Sequence, residues 1–398
     1  MVGTEDFRFS RRTILKGALG GVVCHMLSPF AACAEKAKSE GRVRLPRGDF
    51  SRRSGKDGVV PDKEAMYYEK LGDDAVRCLL CFKQCRISDK DRGYCGNREN
   101  VGGKLYSLVY GRPSALQLDP VEKEPCYHMM PGLVILCIGT AGCNYECKCC
   151  HNWTLSQFRI EQIDYFDLLP EGVAATAKKY QCMGVSFTYN EPTVFYEYML
   201  DVMKICKREG GFKTLFHTNG SLSMEPLQEI LKVADAVTVD LKGFKEPLYA
   251  SHCSGRLEPT LNFLKAVKKG GRHLEIVDLV IPGRSDDLDD IREMCRWVKK
   301  ELGDDVPVHF NRFFPAYKLR NLPPTPVNVL DQAHEIATKE VGLKFVYVGN
   351  APGHPFNSTY CPACGKRVIY RLHFGLLADD VVKGRCRFCG CPIPGVWS

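Results

Sequence analysis

Between residues 131 and 350, short apolar runs alternate with amphipathic segments, and this alternation narrows the possible folds more than any other feature of the chain. The runs at 133–138, 184–188, 214–217, 236–241, 274–281, 306–310 and 345–348 have the length and apolar content of buried strands. Between them, 167–180, 194–209, 225–233, 261–269, 289–302 and 329–341 repeat their apolar positions with helical spacing. Strand and helix in strict turn require crossover connections, hence a parallel sheet covered by helices. Six or seven such units predict an α/β chain forming an incomplete (β/α)6-type barrel rather than a doubly wound sheet. In such folds the chemistry sits in loops at the carboxyl ends of the strands.

The loop after the first run reads Gly142-Cys143-Asn144-Tyr145-Glu146-Cys147-Lys148-Cys149-Cys150-His151-Asn152. Its Cys143, Cys147 and Cys150 follow the pattern C-x3-C-x2-C. Three thiolates on one short loop can hold three irons of a [4Fe–4S] cubane, which leaves the fourth iron open to a ligand carrying amine and carboxylate groups. Other polar residues stand at strand ends: Asn190 and Glu191 after the second run, His217 and Asn219 at the third, Asp240 and Lys242 at the fourth. Strand alternation sends Asp240 and Lys242 to one face, a pair suited to a zwitterion. His217, Asn219, His309 and Arg312 are candidates for lining a substrate cavity.

The chain holds 21 cysteines, concentrated at 78–95, 137–150 and 361–391, and spacings this close in a chain this long point to metal rather than disulfides. Cys361, Cys364, Cys386 and Cys389 have the spacing of a zinc ribbon, with a second cluster as the alternative and Cys391 as a substitute for Cys389. Cys78, Cys81, Cys85 and Cys95 form a second set, C-x2-C-x3-C-x9-C, in a stretch with little apolar periodicity. A metal there, zinc or a further cluster, explains how so small a region keeps its shape.

Ser10-Arg11-Arg12 precedes an uncharged run at 17–34 that ends in Ala32-Cys33-Ala34, the order of parts in a twin-arginine export signal. Export to the periplasm is therefore expected, with lipidation at Cys33 a weaker alternative. A cytoplasmic location is the competing expectation, because the low-potential reductant that a cluster needs is found there. The expected organisation is a signal at 1–34, a charged linker at 35–64, a Cys-rich region at 65–130, the partial barrel at 131–350 and a zinc-ribbon-like region at 351–398. Residues 1–60 carry twelve Lys or Arg against six Asp or Glu, so +6 of the formal +8 lies there and only +2 is left for the other 338 residues. That excludes a basic nucleic-acid footprint on the folded body.

The cluster loop, Cys78-Leu79-Leu80-Cys81, Gly93-Tyr94-Cys95, Asp119-Pro120-Val121-Glu122-Lys123, Thr188-Tyr189-Asn190-Glu191-Pro192-Thr193, Val239-Asp240-Leu241-Lys242, Ile281-Pro282-Gly283 and Tyr347-Val348-Gly349-Asn350 together resemble one family. So do Cys361-Pro362-Ala363-Cys364 and Pro392-Ile393-Pro394-Gly395-Val396-Trp397. The resemblance is to the radical S-adenosylmethionine superfamily, specifically the AmmeMemoRadiSam-system radical enzyme, related to pyruvate formate-lyase activating enzymes. It covers about 75 to 398. It implies a [4Fe–4S] cluster and S-adenosylmethionine as cofactors, and a reductant such as ferredoxin or flavodoxin. It also implies a glycyl residue of a partner protein as a possible target, with other AmmeMemoRadiSam-system proteins as partners. By the same resemblance Glu191 holds the methionine ammonium, and Asn190, Asp240 and Lys242 lie beside the cofactor. Cys149 stands where such enzymes usually have an aromatic residue, and His151 where Gln is common, so an aromatic side-chain contact to adenine is not carried over. The rival class is a non-catalytic iron–sulfur or zinc electron carrier, which accounts for the cysteines but not for Asn190, Glu191, Asp240 and Lys242.

Overall fold

The computed structural model describes residues 43–45 and 50–398. The signal expected at 1–34 lies outside the described residues. Nine strands form the main sheet, numbered here β1 (Val43–Arg44), β2 (Ala115–Pro120), β3 (Val134–Gly139), β4 (Gly184–Phe187), β5 (Lys213–Thr218), β6 (Ala236–Asp240), β7 (His273–Val280), β8 (Val308–Arg312) and β9 (Val346–Gly349). The order across the sheet is the order in the chain. β3 to β9 pair parallel, while β2 joins β3, and β1 joins β2, antiparallel.

Six helices make the crossovers: α1 (Pro170–Lys179), α2 (Tyr196–Glu209), α3 (Met224–Ile230), α4 (Leu257–Lys269), α5 (Leu288–Leu302) and α6 (Val327–Glu335). α5 illustrates why. Asp287 caps its first turn by accepting from the Asp289 and Asp290 N–H groups, and Lys299 and Lys300 sit at its carboxyl end. Its buried Ile291, Met294, Cys295, Val298 and Leu302 form one stripe that packs onto the sheet. The seven parallel strands and six crossovers match the expected alternation to within a few residues at each end, except that α6 stops at Glu335 and Ile336–Val341 winds on as a π-helix.

The sheet does not close on itself. Between β2 and β3, the segment at 126–128 fills its inside, where Tyr127 and His128 pack against Tyr347 of β9. The carboxyl-terminal region then covers that end, with the Arg371 guanidinium donating to the Tyr127 carbonyl at 2.5 Å and the Val396 N–H to the His128 carbonyl at 2.7 Å.

The stretch expected as linker is structured in part. β1 extends the main sheet, Arg52–Ser54 pairs with Asp164–Phe166, and Lys63–Glu64 pairs with Lys104–Ser107. These pieces lack apolar periodicity because they borrow their stability from strands already in place. β2 was likewise hidden in a region whose cysteine spacing dominates its pattern.

Candidate active site

Burial on both faces makes β3 a continuous apolar run, Val134 to Gly139, and the chain leaves it into the cysteine loop. The turn is tight. Gly142 has φ +85°, and a Cβ there would lie 2.2 Å from Asn97 Nδ2 and 2.5 Å from the Cys95 carbonyl. Two backbone bonds hold the loop to the segment after β6: Glu146 N–H to the Cys253 carbonyl at 2.8 Å and Lys148 N–H to the His252 carbonyl at 3.0 Å.

Cys143, Cys147 and Cys150 face one cleft of about 870 Å³, open to solvent, at the carboxyl ends of the parallel strands. Asn190, Glu191, His217, Asn219, Asp240 and Lys242 line the same cleft. Lys242 Nζ donates to Asp240 Oδ2 at 2.6 Å, and His217 Nε2 lies 3.1 Å from Asp240 Oδ1. His217 Nδ1 is 3.5 Å from Glu124 Oε2, a partner supplied by the segment after β2. Burial opposes charge on His217, but Asp240 and Glu124 outweigh it and raise the imidazole to about 10. Burial likewise opposes the charges on Asp240 and Lys242, yet each holds the other ionised, the carboxyl well below its usual range and the ammonium well above. The cleft wall thus carries two cations around one anion.

Asn190 and Glu191 are committed to the chain itself. Asn190 Oδ1 accepts from the Thr140 N–H at 2.9 Å, and its amide donates to the Gly142 carbonyl at 2.7 Å. Glu191 accepts from the Thr193 N–H and hydroxyl, the Thr218 hydroxyl and the Asn219 N–H at 2.7–3.1 Å. Those four donors match the acceptor capacity of a carboxylate. Burial nonetheless raises Glu191 above the ordinary carboxyl value.

His309 does not reach the cleft. It is fully buried, with Nε2 2.6 Å from Glu275 Oε2 and its ring stacked on Tyr347. Two positions further along the same face of β8, Asn311 lines the cleft instead. Arg312 faces the other way, donating from Nε to the Thr325 carbonyl at 2.8 Å and lying over the Phe314 ring. Cys149 is buried beside Ile281, Phe313 and Leu319.

Sequence pattern missed Asn144, Ser221 and Glu124. Asn144 Nδ2 donates to Ser221 Oγ at 2.7 Å and its carbonyl accepts from Asn219 Nδ2 at 2.9 Å, tying the cysteine loop to the loop after β5. Asn144 lies inside the cysteine motif and could have been suspected; Glu124 comes from a segment with no strand-end signal.

The model of the radical SAM superfamily matches residues 137–298. An uncharacterized protein of Methanocaldococcus jannaschii is 42% identical over 330 residues, 82% of this chain and 98% of its own length. The pyruvate formate-lyase-activating enzyme of Clostridium pasteurianum is 26% identical over 200 residues, 46% of this chain and 80% of that protein. The pyruvate formate-lyase 1-activating enzyme of Escherichia coli K12 is 29% identical over 164 residues, 40% of this chain and 65% of that protein. A parallel α/β sheet with a three-thiol loop at its carboxyl edge defines a class, and this chain belongs to the radical S-adenosylmethionine superfamily. Within it, the chain is homologous to pyruvate formate-lyase activating enzymes. Membership implies a [4Fe–4S] cluster and S-adenosylmethionine, and the donor set fits them: three soft thiols from one loop share a cleft with paired opposite charges.

Proposed function

We propose that this protein is a radical S-adenosylmethionine enzyme of the AmmeMemoRadiSam-system type that acts on another protein, with a glycyl residue as the first target to test. The observation that carries this is the convergence of Cys143, Cys147 and Cys150 with Asp240, Lys242 and His217 on one cleft. When bound, the reduced cluster supplies one electron that cleaves S-adenosylmethionine to methionine and a 5′-deoxyadenosyl radical, which takes a hydrogen atom from the substrate. The chain's own residues prepare the place. Lys242 and Asp240 bring a cation and an anion to one wall, as an amino-acid moiety requires. Asn190 and Glu191 fix the loops that shape the cleft, and His217 holds Asp240 from its other oxygen. In this proposal the sheet is the superfamily's incomplete (β/α)6 barrel, the electron comes from a ferredoxin or flavodoxin, Cys361, Cys364, Cys386 and Cys389 bind zinc, and residues 1–34 direct export.

Support for a protein substrate comes from the relatives named for activating pyruvate formate-lyase. The test is to purify the protein with its partners without oxygen, add reductant and S-adenosylmethionine, and record electron paramagnetic resonance spectra. A glycyl-type doublet on a co-purifying protein is expected. S-adenosylmethionine cleavage with no protein radical, and product appearing only with an added small molecule, would contradict the substrate class.

A further inference from the structure

The four cysteines of the amino-terminal region converge on a place of their own. Cys78, Cys81, Cys85 and Cys95 line one cavity of about 360 Å³, separate from the cleft described above. The fold around them is a small sheet, Tyr68–Lys70, Val76–Cys78 and Arg86–Ile87, closed by the turn that carries Cys95. The Cys78 N–H donates to the Cys85 carbonyl at 3.0 Å, and the Tyr94 N–H points at Cys85 Sγ at 3.4 Å. Such N–H···S contacts stabilise thiolate sulfur in iron–sulfur sites.

Sulfur spacing distinguishes this tetrad from the carboxyl-terminal one. A zinc ion with bonds of ~2.3 Å in a tetrahedron brings its sulfurs to ~3.8 Å from one another. The carboxyl-terminal set has that geometry: Cys361 to Cys389 is 3.5 Å, Cys364 to Cys386 is 3.8 Å, and all four sulfurs lie within 4.8 Å of one another. Among the described residues, the only other set of three or more His, Cys, Asp or Glu gathered that closely is Cys126, His273 and Glu275. Among the described residues, no three sulfurs of Cys78, Cys81, Cys85 and Cys95 are gathered that closely, and neither are those of Cys143, Cys147 and Cys150 at the cleft. A single zinc ion needs sulfurs that close, whereas the thiolates of a cubane each bind a different iron and need not be gathered so tightly.

Charge agrees. Arg98 borders the cavity with its side chain 2% exposed, and its Nε is a buried donor with no partner in the protein. Lys83 borders it too. A buried N–H without an acceptor is costly, and a cluster carrying net negative charge, with sulfide and thiolate acceptors, would satisfy it. We propose that Cys78, Cys81, Cys85 and Cys95 bind a second [4Fe–4S] cluster. With all four irons capped by protein thiolates, it exchanges single electrons and cannot take a second S-adenosylmethionine. It would sit directly behind the active-site loop. Asn144, next in the chain to Cys143, lines its cavity, Gly142 packs on the Cys95 carbonyl, and Ser223 N–H donates to the Leu80 carbonyl at 3.0 Å. The metal content stands apart from the proposed function; only the use of the electron rests on it.

The experiment is metal and sulfide analysis of the full-length protein reconstituted without oxygen, with Mössbauer spectra of iron-57 samples. Wild type should hold about eight irons, and the variant Cys143→Ala, Cys147→Ala, Cys150→Ala about four, as two cubanes and then one predict. Adding Cys78→Ser, Cys81→Ser, Cys85→Ser and Cys95→Ser to that variant should remove the remaining iron and leave the zinc. About four irons in wild type with extra zinc, or none in the triple variant while its circular dichroism matches wild type, would overturn the proposal. Neither readout depends on S-adenosylmethionine cleavage, so a failed activity assay leaves this test intact.

Discussion

Asp240 is the residue on which the cleft's charge balance turns. One oxygen takes the Lys242 ammonium at 2.6 Å and the other faces His217 at 3.1 Å. Asp240→Asn keeps the shape and removes the anion, leaving two cations facing a ligand that carries one of its own. A charge-assisted hydrogen bond contributes ~1.5–3 kcal/mol, so S-adenosylmethionine binding should weaken ~10- to 100-fold, measured by equilibrium titration of the reconstituted protein. Unchanged affinity would place the cofactor elsewhere. His217 makes a prediction in pH. Its folded value, about 10, stands above the ordinary value of ~6.5, so its contribution to stability is complete below pH ~6.5 and is lost as pH rises toward 10. The melting temperature of His217→Gln should therefore fall short of wild type by more at pH 6 than at pH 9. Along β8, period two puts His309 and Asn311 on one face, but only packing decides which one reaches the cleft.

At the scale of elements, the Cys-rich region is fastened to the sheet domain by a buried ion pair. Both Arg98 terminal nitrogens donate to Glu197 in the first turn of α2, at 2.7 and 2.9 Å, and Glu197 Oε1 also accepts the Met66 N–H at 2.7 Å. The side chains are 2% and 1% exposed. Glu197→Ala strands the guanidinium and should cost about 3–5 kcal/mol in denaturant unfolding, whereas replacing both partners by apolar residues of similar size should recover much of that. The elements legible in sequence were those whose partners follow the same periodic rule, β3 to β9 and α1 to α6. Those not legible, β1, β2 and the short strands of the Cys-rich region, are brief and pair over long chain separations, so nothing local announces them. The same division applies to the site: cysteine spacing exposed the loop, while Glu124 and Ser221 reach it only through the fold.

Over the whole molecule, three cysteine sites are joined to one sheet. Pro394, Gly395 and Val396, which follow the carboxyl-terminal site, share a cavity with Arg272, His273, Val306 and Pro307 at the amino ends of β7 and β8, the end of the sheet opposite the cysteine loop. The two knuckles of the carboxyl-terminal site are held by matching bonds, Gly365 N–H to the Cys361 carbonyl at 2.9 Å and Gly390 N–H to the Cys386 carbonyl at 2.8 Å. The four-sulfur set includes Cys389, while Cys391 Sγ contacts the Pro392 carbonyl. With zinc at these four cysteines, as proposed, a chelator should raise hydrogen exchange across 359–391 and leave β3 to β6 unchanged, because binding energy for a structural zinc is folding energy for the small module around it. Protection lost evenly along the chain would mean that the module is not a separate folding unit.

Cys143, Cys147 and Cys150 are proposed to carry a cluster that cleaves S-adenosylmethionine. Protein reconstituted without oxygen, reduced and given S-adenosylmethionine should release 5′-deoxyadenosine, and the Cys143→Ala, Cys147→Ala, Cys150→Ala variant should release none. No product from wild type whose cluster is intact and reduced would mean that this loop does not cleave S-adenosylmethionine, and would return the chain to the electron carriers.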